Sequence, residues 1–197
     1  AARCAALIGW AASKQHDRVG GVLFGNPATG TRYYRATPGR RGLWRLLRAL
    51  TEPIEQGDTD ESRLITALQQ LDSGAATGSL IFVIAPLNQV TVGLERILGS
   101  LKQRHTIMLM PVDDPADSDL PAMGPVIFSN AAGELLEVDT DSEAGRQAFR
   151  EDWEQRREEL QQQAYRLGLG LIPINTTDDV HRTMIDGLRR YAGRYQV

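Results

Sequence analysis

An unbroken apolar run, Leu80–Ala85 (LIFVIA), limits the folds open to this chain of 197 residues more than any other segment. A strand that is apolar at every position has to be covered on both faces, as in a parallel sheet flanked by helices. Similar runs follow at Thr106–Val112 and Leu169–Ile174, with helical periodicity between them. This alternation predicts an α/β fold, doubly wound around a mostly parallel, Rossmann-like sheet.

Antiparallel pairs are predicted at two places beside this sheet. Arg18–Phe24 and Thr31–Arg35 flank a run of turn residues and predict a β-hairpin at one edge. Residues 113–141 break the alternation with a loop rich in Asp and Pro. This insertion contains a second, small hairpin, formed by Pro125–Ser129 and Leu135–Val138.

Helices are predicted wherever apolar residues recur at helical spacing. Ala1–Ala12 is almost wholly small or apolar, which predicts a helix buried on most faces and packed across the sheet. Because helices of that kind normally follow a strand, we expect a first strand upstream of Ala1. Residues 1–197 then form a single domain. Its other predicted helices contain Leu43–Leu50, Leu64–Leu71, Leu94–Leu101, Glu143–Leu167 and Asp178–Tyr191.

Three local features carry expectations about packing. Pro111 indicates that its strand is frayed or unpaired near its end, because proline cannot donate a ladder hydrogen bond. Gly20 and Gly21, within Arg18–Phe24, are expected to allow close packing of the first helix. One residue of Asn175–Asp178 is expected to cap the last helix.

The charge balance and the single cysteine exclude several classes of protein. Lys and Arg number 22 and Asp and Glu 25, a net charge of −3, without the basic excess of a nucleic-acid-binding chain. Cys4 alone cannot form an internal disulfide or a multi-cysteine metal site. The apolar runs are far shorter than the roughly 20 residues that span a bilayer, and no secretory signal is visible. We expect a cytoplasmic protein with no nucleic-acid or membrane contact in this segment.

The familiar motifs of catalysis and cofactor binding are missing from the sequence. It contains neither a glycine-rich phosphate loop nor a G-x-S-x-G nucleophile elbow, and we predict no cofactor. His16, His105 and His181 are scattered, and we expect them to be surface or half-buried structural residues. A local basic patch contains Arg40, Arg41, Arg45 and Arg48, and nucleic-acid binding through these arginines is a third alternative that the acidic chain disfavours.

Acidic residues gather where the second parallel strand ends. Asp113 and Asp114 come directly after Thr106–Val112, and Asp117 and Asp119 follow closely. Ligands of open α/β sheets bind beyond the carboxyl ends of the strands, so the position favours a metal or substrate site. The Asp- and Pro-rich composition favours a solvated loop, and the residues alone leave both interpretations open.

Several short stretches occur in a characteristic order along nearly the whole chain: Ala5–Trp10, Asp17–Phe24, Arg40–Leu50, Arg104–Val112, Asp114-Pro115, Leu120-Pro121, Val138–Thr140 and Thr176–Asp178. In this order and spacing they resemble the MoxR-associated family of unknown function called DUF58, whose members carry a von Willebrand factor A-like domain. No single stretch is a strong motif. The specificity of the resemblance lies in the order.

The resemblance implies a von Willebrand factor A-type sheet, whose first strand carries Asp-x-Ser-x-Ser and would lie upstream of Ala1. In such domains this motif, a Thr from a later loop and an Asp after the central strand hold a divalent cation through oxygen atoms. Here Pro86 stands at the Asp position after Leu80–Ile84, and Asp58-Thr59 has the wrong spacing for the Thr loop. We therefore expect no functional metal site.

The same resemblance places the upstream strand between Arg18–Phe24 and Leu80–Ile84. Without it, the inner edges of these two strands would have unpaired backbone groups, which are costly when buried. We therefore expect one of two arrangements. Either the two strands pair directly, or a strand from another chain, which could be a second copy in a homo-oligomer, fills the gap.

We predict a non-enzymatic module for protein–protein interaction and scaffolding. The resemblance implies a MoxR-type AAA ATPase as its partner, in complex assembly or in the maturation of client enzymes. The candidate partner-binding residues follow the strand ends: Pro86, Leu87, Asn88, Asp113 and Asp114. The alternative is a hydrolase or small-ligand enzyme that uses the acidic residues at these ends.

The two functions predict different surfaces at the strand ends. An enzyme is expected to have a deep polar pocket beside Asp113 and carboxylates with strongly perturbed pKa values. An interaction module is expected to have a shallow crest with exposed apolar residues such as Leu87.

Overall fold

The computed structural model describes residues 1–26, 29–52, 61–129 and 135–194. In these ranges the helices are α1 Ala2–Lys14, α2 Arg40–Leu50, α3 Glu61–Gly74, α4 Val92–Lys102, α5 Glu143–Arg166 and α6 Val180–Arg194, with a short 3-10 turn at Pro115–Asp117. The strands are β1 Val19–Leu23, β2 Arg32–Thr37, β3 Leu80–Ala85, β4 Thr106–Asp113, β5 Pro125–Ser129, β6 Leu135–Asp139, β7 Gly170–Leu171 and β8 Ile174–Asn175.

The central sheet is parallel and has β4 in its middle. β3 pairs with β4 from Leu80 opposite Thr106 to Ala85 opposite Pro111. On its other side β4 pairs in parallel with β7 and then with β8. The β1–β2 and β5–β6 pairs are antiparallel hairpins. The predictions of an α/β fold, a mostly parallel sheet and two antiparallel hairpins are confirmed.

Helices cover both faces of this sheet because its side chains alternate in direction. On one face Ile107 and Leu109 of β4 pack with buried residues of α3, α4 and α5. On the other face Met108 and Met110 pack with Cys4 of α1 and with residues of α6. The continuous apolar strands therefore have the two-sided cover that their sequence predicts. No helix among the described residues is long and apolar enough to cross a membrane.

The strand does not fray at Pro111, because β4 continues to Asp113 and Pro111 is fully buried, but Pro111 is unpaired on the side of β7 and β8. The Leu109 carbonyl accepts from Ile172 N–H and the Asp113 carbonyl from Thr176 N–H, so odd-numbered residues of β4 face β7 and β8. Pro111 thus lies opposite the interruption between those two short strands. Its missing N–H costs little there.

The first helix is less buried than predicted. Only Cys4 and Gly9 of α1 are fully buried, and Trp10 is exposed. The reason is its position: α1 packs beside α2 and α6 and reaches β1, so its outer face has no cover among the described residues.

The two adjacent glycines of β1, Gly20 and Gly21, each leave room for a different neighbour. A Cβ on Gly21 would lie 3.2 Å from Leu46 of α2, whereas a Cβ on Gly20 would lie 2.5 Å from the Ala36 nitrogen of β2. The expectation that both glycines accommodate the first helix is therefore wrong. One admits α2 and the other admits the partner strand of the hairpin.

The sequence run Leu169–Ile174 is two short strands instead of one, since Pro173 interrupts it. Of the two arrangements expected for β1 and β3, direct pairing is contradicted, while pairing through a strand of another chain stays a prediction. Among the described residues β1 pairs with β2, β3 pairs with β4, and no ladder joins β1 to β3.

Candidate functional site

The five predicted partner-binding residues lie at the carboxyl ends of β3 and β4, but they differ in accessibility. Pro86, Asn88 and Asp114 are exposed. Leu87 is only 3% exposed and Asp113 only 6%. The expectation of an exposed Leu87 is therefore wrong, because this side chain belongs to the core beneath the loop.

Arg157 of α5 explains why Asp113 is buried. Its guanidinium donates to Asp113 Oδ1 and to the Leu87 carbonyl, and it lies over the Trp153 ring at 5.3 Å. One arginine thus fixes the ends of two parallel strands to the long helix. This cluster of Leu87, Asp113, Trp153 and Arg157 is called the strand-end clamp below.

Two opposing effects act on the Asp113 carboxyl. Burial favours the neutral form and raises the pKa of Asp113 above its ordinary value, while the positive charge of Arg157 opposes this rise. Arg157 is the guanidinium partner of this carboxylate inside the protein. The geometry of the Asp113–Arg157 contact is that of a structural ion pair.

Asp114 organises the neighbouring turn. Its Oδ1 accepts from Ala116 N–H at 3.1 Å, and its Oδ2 accepts from the Thr176 hydroxyl at 2.7 Å. The hydrogen bond from Thr176 and the one from the Ala116 backbone lower the pKa of Asp114. Asp117 in turn accepts from Asp114 N–H at 2.7 Å, which completes a capping box on the 3-10 turn.

The carboxyl end of β8 lies next to Asp114, to which Thr176 donates its hydrogen bond. Asn175 N–H donates to Asp178 at 3.0 Å, and the last helix is capped by Asp179, which accepts from Arg182 N–H. The predicted cap within Asn175–Asp178 is thus wrong by one residue, because Asp178 is taken by the turn.

A metal site is not formed by the part of the chain that the structure describes: it contains no group of three or more His, Cys, Asp or Glu side chains placed to hold an ion. Asp119, one of the strand-end acids, pairs instead with Arg150 at 2.7 Å. Asp58 and Thr59, the residues weighed for the Thr loop, lie outside the described residues.

Two further predicted features are placed by the structure. His16 and His181 are exposed as predicted, but His105 is buried, and neither ring nitrogen has a hydrogen-bond partner among the described residues. The basic patch lies on the exposed face of α2, where Trp44 is 59% exposed between the arginines. Sequence reasoning missed Trp44, although its place within the arginine run was the available signal.

Together these features define the class: an α/β protein with a mostly parallel sheet, whose strand-end residues are tied together by internal contacts. Residues 1–159 match the model of the family described as "Protein of unknown function DUF58". The chain therefore belongs to the DUF58 family.

Other comparisons add little. No curated protein matches the sequence. One solved structure, described as an uncharacterized membrane spanning protein from Vibrio fischeri, aligns at 14% identity over 97% of this chain and 85% of its own. Its TM-score of 0.23 is too low to bear on the fold.

Proposed function

We propose that this chain is a non-enzymatic interaction module and that the junction between its first hairpin and its parallel sheet takes up one further β-strand, either the strand expected upstream of Ala1 or a strand of a partner protein. The supporting observation is a pair of free strand edges. Within the described ranges, β1 is hydrogen-bonded to β2 and β3 to β4, and each has a second edge without a strand partner. Unpaired edges are templates for strand addition by another polypeptide.

Two helices cover this junction from opposite faces. α3 contacts both strands of the hairpin, and its Leu64 and Leu68 share a core cluster with Ile81 of β3. α1 contacts β1, and its Leu7 packs against the cluster that Phe82 joins from the other face of β3. A strand added here would have apolar cover on both faces, as in the rest of the sheet.

The free edge of β3 presents backbone groups in a regular pattern. Thr106 N–H donates to the Ser79 carbonyl at 3.0 Å, so odd-numbered residues of β3 face β4. The N–H and C=O groups of Leu80, Phe82 and Ile84 therefore point toward the junction. Leu80 is 54% exposed at the start of this edge.

We further propose a von Willebrand factor A-like arrangement and a MoxR-type AAA ATPase as the partner, in complex assembly or client maturation. Membership of the DUF58 family and the stretches quoted above support this assignment. Pro86, Asn88 and Asp114 are exposed at the carboxyl edge beside the junction, where the same partner would contact them. The exposed arginines and Trp44 of α2 also suit an interface, because Trp and Arg are enriched at binding hot spots.

The test is retention of a MoxR-type ATPase, locked with a non-hydrolysable ATP analogue, on immobilised chain. Leu80→Asp puts a charge at the free edge of β3 and should weaken retention by about tenfold or more. Val92→Asp, at an exposed apolar position on α4, is the matched control and should bind like the wild type.

Two results would contradict the proposal. One is equal retention of the ATPase by both variants, or no retention by the wild type. The other is turnover of a small molecule that Asp114→Asn abolishes, because that result favours a strand-end enzyme.

A further inference from the structure

A groove runs along the other edge of the parallel sheet, between α5 and α6. α5 covers one face of the sheet through Leu160, and α6 covers the opposite face through Met184. Between the two helices, no strand of the described residues pairs with the outer side of β7. Leu169, Leu171 and Pro173 line the resulting cavity of about 840 Å³.

The backbone of β7 has a free side toward this groove. Ile172 N–H donates to the Leu109 carbonyl of β4 at 2.8 Å. Because successive residues of a strand direct their backbone groups to alternate sides, the N–H and C=O of Leu171 point away from β4. They have no hydrogen-bond partner among the described residues.

The rim of the groove is positively charged. Arg166 comes from the end of α5 and Arg190 from α6, and both are exposed lining residues. Neither forms an ion pair within the described ranges, although seven other pairs are present there. Among the described residues that line the cavity, Glu158 is the one acid, so this lining has a net positive charge. Tyr165, 74% exposed, adds an aromatic surface on the α5 side.

We propose that this groove binds an extended, acidic segment of a protein partner, which adds to β7 as a further strand. Backbone groups of the segment pair with those of Leu171, and its carboxylates meet Arg166 and Arg190. At about 3.3 Å per residue, the edge from Leu169 to Pro173 accommodates a segment of about five residues. This docking place is separate from the β1–β3 junction, and most of its residues lie beyond the 1–159 match to the family model. It stands or falls independently of the function proposed above.

The experiment is fluorescence anisotropy with a labelled hexapeptide of alternating Glu and Val, titrated with the whole chain. We expect saturable binding that weakens by about tenfold or more in the double variant Arg166→Glu/Arg190→Glu. Arg182→Glu, an exposed arginine of α6 that does not line the groove, should bind like the wild type. The corresponding Lys-Val peptide should not bind. Amide exchange at Leu171 should slow in the acidic complex.

Several results would overturn the proposal. The first is no binding of the acidic peptide up to about 1 mM, a concentration that would detect even a weak site. The second is unchanged binding in the double variant, and the third is equal binding of the Lys-Val peptide. A concentration-dependent dimer that the double variant abolishes would assign the groove to a second copy of the chain instead.

Discussion

Arg157 gives the sharpest prediction at the scale of single residues. Arg157→Met removes the partner of the buried Asp113 carboxylate and should lower the free energy of unfolding by about 3–5 kcal/mol. Arg156→Met, the neighbouring arginine, removes the exposed pair with Asp152 and should cost less than about 0.5 kcal/mol. Urea unfolding of the two variants measures the difference. A similar decrease in the free energy of unfolding in both variants would show that the strand-end clamp stabilises the chain no more than an exposed ion pair does.

His105 predicts a pH dependence of stability. Burial, and to a lesser degree the charge of Arg104, lowers the pKa of His105 below its usual 6.5. The unfolded chain therefore takes up a proton near pH 6.5 and the folded chain only at a lower pH, so stability is lost as the pH falls from 6.5 toward the lower pKa of the folded chain. The slope from one group is at most about 1.4 kcal/mol per pH unit.

The variant His105→Phe tests this linkage. Urea unfolding between pH 7.5 and 5 should show a smaller loss of stability in the variant than in the wild type. His181→Phe, on the exposed side of α6, is the control and should keep the wild-type profile. A wild-type slope that survives in His105→Phe would place the pH dependence elsewhere.

Single residues also show what could and could not be predicted from the sequence. The positions of Asp113 and Leu87 at strand ends could be predicted from the apolar runs before them. Their burial could not, because that of Asp113 depends on Arg157, 44 residues away, and that of Leu87 on the core cluster beneath the loop. The burial of His105 could not be predicted either, since nothing in its local pattern distinguishes it from an exposed histidine at the start of a strand.

At the scale of elements, the glycines of β1 and α4 give opposite predictions. Gly20→Ala pushes a Cβ against the backbone of β2 and should destabilise the chain by about 1–3 kcal/mol. Gly99→Ala, in the middle of α4 with open space around its Cβ, should stabilise it by about 0.5–1 kcal/mol. Thermal or urea unfolding measures both. A neutral Gly20→Ala would mean that the hairpin does not pack as described.

Most helices and strands could be predicted because each is a local pattern of apolar residues. The errors arise where an element depends on its neighbour in space. Pro111 is tolerated because β7 and β8 are interrupted opposite it, and this interruption is set by Pro173, far along the chain. The first helix is partly exposed for a similar reason: its composition predicts apolar burial, but its neighbours decide which faces are covered.

For the whole molecule, the α/β class could be predicted from the sequence. That β1 and β2 form a sheet separate from β3 and β4 could not be predicted, because apolar runs do not show which strands are neighbours. The structure describes two free edges at the β1–β3 junction and a third at β7, each flanked by helices. Strand edges with free backbone groups and helices over both faces suit the addition of a further strand.

Amide hydrogen exchange along β3, followed residue by residue by NMR, shows whether the outer edge of this strand is open. In the free chain, the N–H groups of Leu80, Phe82 and Ile84 should exchange faster than those of Ile81, Val83 and Ala85, which face β4. A bound partner strand should slow the first set and leave the second unchanged. Equal protection of both sets in the free chain would show that this edge is already paired and has no place for a further strand.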